Sequence, residues 1–472
     1  MQHSAAGEVI PIGRRERQLV LLICAFGLFM TYVDSSILNV ALPTIQRQFR
    51  AGISDLQWVL DSYQLVLASL LTLAGSLADR CGRRRIFRIG LLAFTIGSLL
   101  CAAAPGIGWL VAFRVVQALG GCMLTPVSLS IVRQVFTDPR ERARAIGWWS
   151  AVFGLGVAAG PVLGGPLVAS LGWRSVFWVN VPVGLCGWVL AGRYLPESRA
   201  ARPRRMDPAG QLLTTLTLAT LTYALIEGAG QGWGARPILI AFAISAVSMM
   251  GLVFVERRVA EPLLEPRFFR SPTFCVAGAT AVITFLALSG FLFINTLYLQ
   301  QVRGFSAPAA GVALLPTTVT IMLGAPLAGR LTGRFGARPP IAVAGLCLAG
   351  GAAVLVPLTA HTPYLVLAVA YGLLGAGFGL VNPPITNAGI SSMPPAQAGV
   401  AGAVISSARQ VGNTLGVAIM GSLAAHGGPV VRFNGLPWVL AIGCGLATTV
   451  LALGGLGPWA QRRAAQIHNL AD

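Results

Sequence analysis

Apolar residues occur along the chain in fourteen long runs, separated by short segments marked by Pro, Gly and Arg. A bilayer core about 30 Å thick is crossed by roughly 20 helical residues. The runs lie at 18–42, 56–78, 88–104, 109–132, 146–168, 175–195 and 209–227, and then at 236–256, 273–299, 308–329, 340–359, 363–386, 400–425 and 436–457. Fourteen helices of about 21 residues use about 300 residues of the 472 in the chain. No large soluble domain fits between them. The expected fold class is an all-α polytopic membrane protein with fourteen transmembrane helices.

The polar segments alternate in charge. With the N-terminus placed in the cytoplasm, the segments on that side hold 26 arginines. Those on the other side hold six: Arg47, Arg50, Arg174, Arg236, Arg303 and Arg432. Arg114 and Arg409 fall inside helices. Short loops rich in Arg stay on the cytoplasmic face, so the split supports an even helix count with both termini cytoplasmic.

Composition narrows the class. Charged residues are 10% and hydrophobic residues 55%, with a mean hydropathy of +0.74; a soluble domain carries about 25% charged residues. A water-soluble enzyme is a poor fit. The net charge of +19 could indicate nucleic acid, but arginines confined to short loops are topology signals, and no nucleic acid is expected. All 34 basic residues are arginine. Without lysine there is no Schiff-base chemistry and no Walker-type nucleotide loop, which needs one. Arginine-only usage with abundant Ala and Gly suggests a GC-rich bacterial genome, hence a bacterial inner membrane. Of eight cysteines only Cys81 lies outside an apolar run, and none forms a CxxC pair. They read as small hydrophobes, with no disulfide framework or metal site. The histidines, His3, His361, His426 and His468, sit at ends and loops, which disfavours an intramembrane histidine relay. The N-terminus has no cleavable signal-peptide pattern, and its first apolar run is long enough to span.

An internal repeat sets the organisation. Gly75-Ser-Leu-Ala-Asp79-Arg80-Cys-Gly82-Arg83 follows helix 2, and Gly329-Arg-Leu-Thr-Gly333-Arg334-Phe-Gly336-Ala337 follows helix 10. Two six-helix halves would separate the copies by six helices, not eight. Helices 7 and 8 therefore read as an insertion between parallel halves, a known transporter plan. The expected divisions are 1–196 and 272–458 for the halves, 197–271 for the linker with its two helices, and 459–472 for a cytoplasmic tail.

Several segments carry a family resemblance. GSLADRCGRRR at 75–85 resembles the signature loop between helices 2 and 3 of the major facilitator superfamily. Leu110–Thr125, with Arg114, Gln117 and Gly120, resembles its helix-4 motif. Gly156-Val-Ala-Ala-Gly160-Pro161-Val-Leu-Gly164-Gly165 resembles the helix-5 antiporter motif. Three further stretches resemble the fourteen-helix drug:proton antiporter branch: Tyr32-Val-Asp34-Ser-Ser-Ile-Leu-Asn39 through Pro43, Leu56–Tyr63 with Trp58 and Asp61, and Trp173–Pro182 with Asn180. The C-terminal half matches more thinly, through 329–338 and Ser407-Ala-Arg409-Gln410-Val-Gly412. The resemblance implies proton-coupled export, by alternating access, of hydrophobic cationic or zwitterionic drugs or antibiotics. It implies no cofactor beyond the proton gradient, lipophilic small molecules as partners, and a monomer in the bilayer. The alternative is a dedicated exporter of one endogenous metabolite or self-made antibiotic; a non-transporting receptor or channel fits the repeat less well.

The physical reading of these residues runs beside it. In 79–85, Asp79 stands next to Arg80, Arg83 and Arg84, and Gly75 and Gly82 permit a tight turn. This can be a charge latch that breaks as the halves rock, or merely a topology anchor. Gly333 replaces the acid in the second copy, so a latch would be asymmetric. Gly156, Gly160 and Gly164 share one helix face suited to close packing, expected to belong to a moving seam, and Pro161 can kink the helix. A carboxylate inside an apolar span is costly and by default functional. At 1.5 Å per residue, Asp34 lies about 12 Å below the outer end of helix 1 and Asp61 about 8 Å down helix 2. Arg114 shares the layer of Asp61, and Gln117 lies one turn deeper. Asp34, Asp61 and Arg114 are the proton-coupling candidates. By depth, Asp34 is assigned to titration, and Asp61 to pairing with Arg114 or attracting cations; a purely structural ion pair is the alternative. The C-terminal half has no acid in its six spans and one cation, Arg409. Tyr32, Asn39, Tyr63, Gln117 and Arg409 are the expected cavity residues. Other aromatics, such as Phe29, Trp58, Trp148, Trp149 and Phe153, fit a cavity or the interfacial belt. Glu227 and Glu256 are read as solvated helix ends.

Overall fold

All fourteen apolar runs form helices, because a backbone without water must satisfy its own hydrogen bonds. The coordinates are a computed structural model, which describes residues 13–199, 207–259, 266–393, 398–425 and 435–457. The expected tail 459–472 lies outside the described residues, together with Arg202, Arg204, Arg205, Arg432 and the histidines other than His361; the side chain of Phe153 does too.

The first half consists of α1 (Arg14–Phe49), α2 (Ile53–Cys81), α3 (Arg83–Ala102), α4 (Ile107–Val135), α5 (Pro139–Leu171) and α6 (Ser175–Tyr194, interrupted at Val179). Two linker helices follow, α7 (Pro208–Gln231) and α8 (Arg236–Glu256). The second half consists of α9 (Pro272–Val302, closing in a π-helical turn from Tyr298), α10 (Ala307–Phe335, interrupted at Leu314), α11 (Arg338–Leu355), α12 (Tyr364–Ser391), α13 (Ala398–Ala425) and α14 (Leu436–Gly455). No strand occurs among the described residues.

Thirteen of these helices are long and apolar enough to cross a bilayer. The exception is α13, whose 28 residues carry Ser406, Ser407, Arg409, Gln410, Asn413 and Thr414 in succession. Several of these face an internal cavity, so the low hydropathy marks a cavity-lining helix. In the opposite direction α1 has 36 residues, about 54 Å at 1.5 Å each, which is longer than a bilayer core of about 30 Å.

Packing repeats between the halves. In the first half α1 lies on α5, α2 and α3 on α4, and α6 on α3. In the second half α9 lies on α13, α10 and α11 on α12, and α14 on α11. Adding eight to each number of the first set yields the second. The same operation relates the two seams between halves, α2 against α13 and α5 against α10. α7 covers one seam, packing on both α2 and α13, while α8 packs against α7. The outer side of α8, with Val247, Met250 and Phe254 exposed, is a surface for lipid.

The halves converge at the arginine-poor end. There the Gln300 side chain donates to the Val40 carbonyl at 3.0 Å and Gln301 bonds Gln46. Gln57 donates to the carbonyls of Val417 and Ala418 at 2.9 and 3.0 Å. At the arginine-rich end of α10, Gly329 and Gly333 meet no neighbouring atom within 4 Å. The molecule is therefore in a state closed at the arginine-poor end.

Candidate functional site

Buried charge comes first, because it is the most expensive feature of the interior. Asp34 and Arg114 are each 1% exposed and form an ion pair at 2.5 Å. The Gln117 amide donates to Asp34 Oδ1 at 2.7 Å and the Asn180 amide at 2.8 Å. Gln117 also donates to Ser98 Oγ at 2.8 Å. Arg114 donates in addition to Gln117 Oε1 at 2.6 Å and to the Val59 carbonyl at 3.3 Å, and its guanidinium lies 4.2 Å from the Tyr63 ring centroid. Five elements, α1, α2, α3, α4 and α6, thus contribute to one network in which Asp34 accepts from N–H donors at both oxygens.

Asp61 stands outside it. It is fully buried, and neither carboxylate oxygen has a hydrogen-bond partner. The expected pairing of Asp61 with Arg114 is therefore corrected: Arg114 pairs with Asp34. The side of α4 on which the guanidinium emerges turns it toward α1. On α2, Gln57 reaches α13 and Gln64 lines the cavity; Asp61 lies one turn from each.

The cavity sits at the centre between the halves, with about 940 Å³ of space including that open at its mouth. From the first half it is lined by Tyr32, Ser35 and Asn39 of α1, Gln64 and Leu67 of α2, Thr125 of α4 and Val157 of α5. From the second half Phe285, Ser289 and Leu292 of α9 and Arg409, Gln410 and Asn413 of α13 complete it. Of the five residues expected at a cavity, Tyr32, Asn39 and Arg409 line this one. Tyr63 and Gln117 are not at the cavity surface. Both are fully buried in the Asp34–Arg114 network, which is what a polar helix-4 residue one turn from a paired arginine can do instead.

The helix-5 motif has two faces. A side chain at Gly156 would meet Tyr32 Cβ at 2.8 Å, one at Gly160 the Ile37 nitrogen at 2.7 Å, and one at Gly164 Ile37 Cγ1 at 2.7 Å. This face packs on α1 inside the first half, where Ser36 donates to the Val157 carbonyl at 2.8 Å. It is not the contact between halves. That contact belongs to Gly165, against Pro308 Cα at 2.6 Å, and to Pro161, whose carbonyl abuts Gly311.

In the 75–85 loop, Gly82 makes the whole turn between α2 and α3 at φ +109°. Asp79 accepts from Arg83 at 2.8 Å, and Arg83 donates to Gln134 at 3.0 Å. Arg80 lies in the last turn of α2, and Pro126 Cβ lies 3.7 Å from where a Gly75 side chain would begin. Glu197, which carried no signal in the sequence, accepts from the Arg84 nitrogen at 3.2 Å and pairs with its guanidinium at 3.7 Å. None of these contacts reaches the second half. The two linker acids are also placed differently from expectation: Glu227 accepts from the Trp58 indole at 2.9 Å, and Glu256 is buried beside Gly210.

Two pseudo-symmetric membrane bundles around a central cavity, with buried charge in its wall, define a small-molecule transporter. The sequence matches the model of the Major Facilitator Superfamily over residues 24–417 and 279–464. It is 39% identical over 411 residues to the Multidrug resistance protein Stp of Mycobacterium tuberculosis (strain CDC 1551 / Oshkosh), covering 87% of this chain and 76% of that one. It is 36% identical over 457 residues to the Methylenomycin A resistance protein of Streptomyces coelicolor, covering 96% and 94%. The fold superposes on a bacterial homologue of the human lysosomal transporter Spinster with a TM-score of 0.62 at 22% identity, over 97% of this chain and 95% of that one. The chain belongs to the Major Facilitator Superfamily, in its drug-efflux branch.

Proposed function

We propose that the protein exports lipophilic drugs or antibiotics from the bacterial cytoplasm in exchange for protons, as a monomer with both termini cytoplasmic. The observation that supports this best is a cavity walled by both halves, shut at the arginine-poor end, with an uncompensated carboxyl at Asp61 in the adjoining helix wall. Under the arginine orientation that end faces outward, so the state described receives substrate from inside. Alternating access then requires the α2/α13 and α5/α10 seams to part at the outer end, with Asp79 and its arginines adjusting at the inner end.

The proton roles are reversed from those assigned by depth. Asp34 is an acceptor saturated by donors and a counter-ion, which suits a structural ion pair. Asp61 has nothing to compensate a charge while it is buried, so its proton is released when the cavity opens and solvates it. In inside-out vesicles with an imposed proton gradient, Asp61→Asn is expected to abolish uphill dye uptake while retaining dye exchange at equal concentrations. Uphill uptake at the wild-type level in Asp61→Asn removes this carboxyl from coupling.

The expected preference for cations finds no support in the cavity, since none of its described lining residues is an acid. A dedicated exporter for one antibiotic is the second reading. It is favoured by a relative that is matched over nearly both full lengths and is named for resistance to a single antibiotic. A susceptibility panel in a pump-deficient host separates one protected compound from many.

A further inference from the structure

Among the described residues two arginines, Arg114 and Arg409, lie in the middle of membrane-spanning helices, and they are in opposite situations. Arg114 is neutralised by Asp34 at 2.5 Å. Arg409 borders the cavity, and no ion pair to it occurs among the described residues. Its Nη2 donates to Thr386 Oγ1 at 2.8 Å, which is a neutral acceptor. Its Nε is buried with no hydrogen-bond partner. The Phe285 ring centroid lies 5.9 Å from the guanidinium carbon, and Phe285 also lines the cavity.

An arginine removed from water normally acquires a carboxylate or several acceptors, because an uncompensated charge is expensive to bury. Here the missing acceptor can be supplied from the cavity. Guanidinium N–H groups match the two oxygens of a carboxylate or sulfonate, or an ionised enol or phenol, and such charge-assisted bonds strengthen where water is scarce. The remaining wall suits the rest of such a molecule. Leu67, Leu292 and Phe285 offer apolar contact, while Gln64 Oε1 and Asn39 Oδ1 are buried acceptors without partners, open to hydroxyl or amide donors.

We infer that Arg409 is the anion-recognition residue of the cavity, and that the transported compounds are lipophilic molecules carrying an acidic group. This rests on the export reading and names the substrate class for the same site. A permanently cationic compound would meet Arg409, the one charged residue of the described lining, as a like charge, with no acid in that described wall to offset it.

The test compares two dyes on one scaffold, anionic anilinonaphthalenesulfonate and neutral N-phenylnaphthylamine, with ethidium as the cation. Binding is measured on the purified full chain, and proton-driven uptake in inside-out vesicles. The wild type is expected to bind and take up the sulfonate in preference to ethidium. In Arg409→Gln the ratio of sulfonate to neutral-dye affinity should fall about tenfold or more, the loss expected for one charge-assisted bond. Arg409→Lys, which keeps the charge without the planar fork, should restore part of that ratio. An unchanged ratio in Arg409→Gln overturns the proposal. So does a wild type that carries ethidium and the neutral dye but does not bind the sulfonate, a result that leaves export standing. Arg409-dependent sulfonate binding with no uptake of any dye supports the anion site and overturns export instead.

Discussion

Asp34 and Arg114 illustrate how a charge survives inside a membrane protein. Each is almost fully buried: Asp34 accepts from Arg114, Gln117 and Asn180, and Arg114 donates to Asp34, to Gln117 and to the Val59 carbonyl. Breaking such a pair from one side leaves the partner charged and stranded, at a cost of about 3–5 kcal/mol, whereas removing both can be nearly neutral. Arg114→Gln is therefore expected to lower the thermal unfolding temperature of the purified protein markedly, and Asp34→Asn/Arg114→Gln to recover most of the loss. Equal melting of the single and double variants would mean that the pair contributes through packing alone. The presence of both residues was legible in the sequence, because an ionisable residue in an apolar run stands out. Which acid the arginine chooses was not. Depth fixes only the coordinate along a helix axis, and partner choice depends on rotation about it. Glu197 was missed for a different reason: it lies past the end of α6 in a loop, where an acid is unremarkable until the fold brings Gly82 and Arg84 against it.

At the scale of elements, rotation by one residue separates two jobs on α5. Gly164 and Gly165 are adjacent in sequence, yet the first lies on α1 and the second on α10 of the other half. The spacing of Gly156, Gly160 and Gly164 was enough to forecast a close-packed face, since residues four apart stack on a helix. It could not say that this face is internal to one half, or that Pro161 and Gly165 form the contact between halves. The consequences of enlarging each glycine differ accordingly. Gly160→Leu overpacks a static interface, and overpacking commonly costs about 1–3 kcal/mol; the expected result is lower stability. Gly165→Leu wedges the arginine-poor end apart, and is expected to shift the conformational balance toward a state open there. Reactivity of a cysteine placed at Asn39, measured with an impermeant thiol reagent in both backgrounds, distinguishes them. It should rise in Gly165→Leu and not in Gly160→Leu. A rise in both, or in neither, would dissolve the distinction between the two faces. Helix count and order were legible in the same way, from length and hydropathy. Only α13 stands apart, because a cavity-lining helix must break the apolar pattern that identifies its neighbours.

For the whole molecule, the offset of eight helices in the packing makes the α2/α13 and α5/α10 seams equivalent, but the linker helices break that equivalence. α7 covers the α2/α13 seam and ties both sides, through Trp58 to Glu227 and through Ser422 to the Leu225 carbonyl. The opposite seam has no such cover in the described packing. Opening at the arginine-poor end therefore has its freer edge at α5/α10 and at the nearby α1/α9 contact, where Gln46 meets Gln301 and Gln300 meets Val40. Joining Gln46→Cys to Gln301→Cys with a short, membrane-impermeant bifunctional methanethiosulfonate should hold that edge shut. The experiment uses a background in which the eight native cysteines are replaced and transport is retained. Three results are expected together. The reagent should cross-link the pair in intact cells, because the arginine-poor end faces outward. Export should stop on cross-linking, because release requires this edge to part. Reduction should restore export, because nothing else was altered. Cross-linking only in inside-out vesicles would invert the assigned orientation. Full export by the cross-linked protein would show that substrate leaves without separation of α1 from α9, and the outward path would then have to lie along the seam that α7 covers.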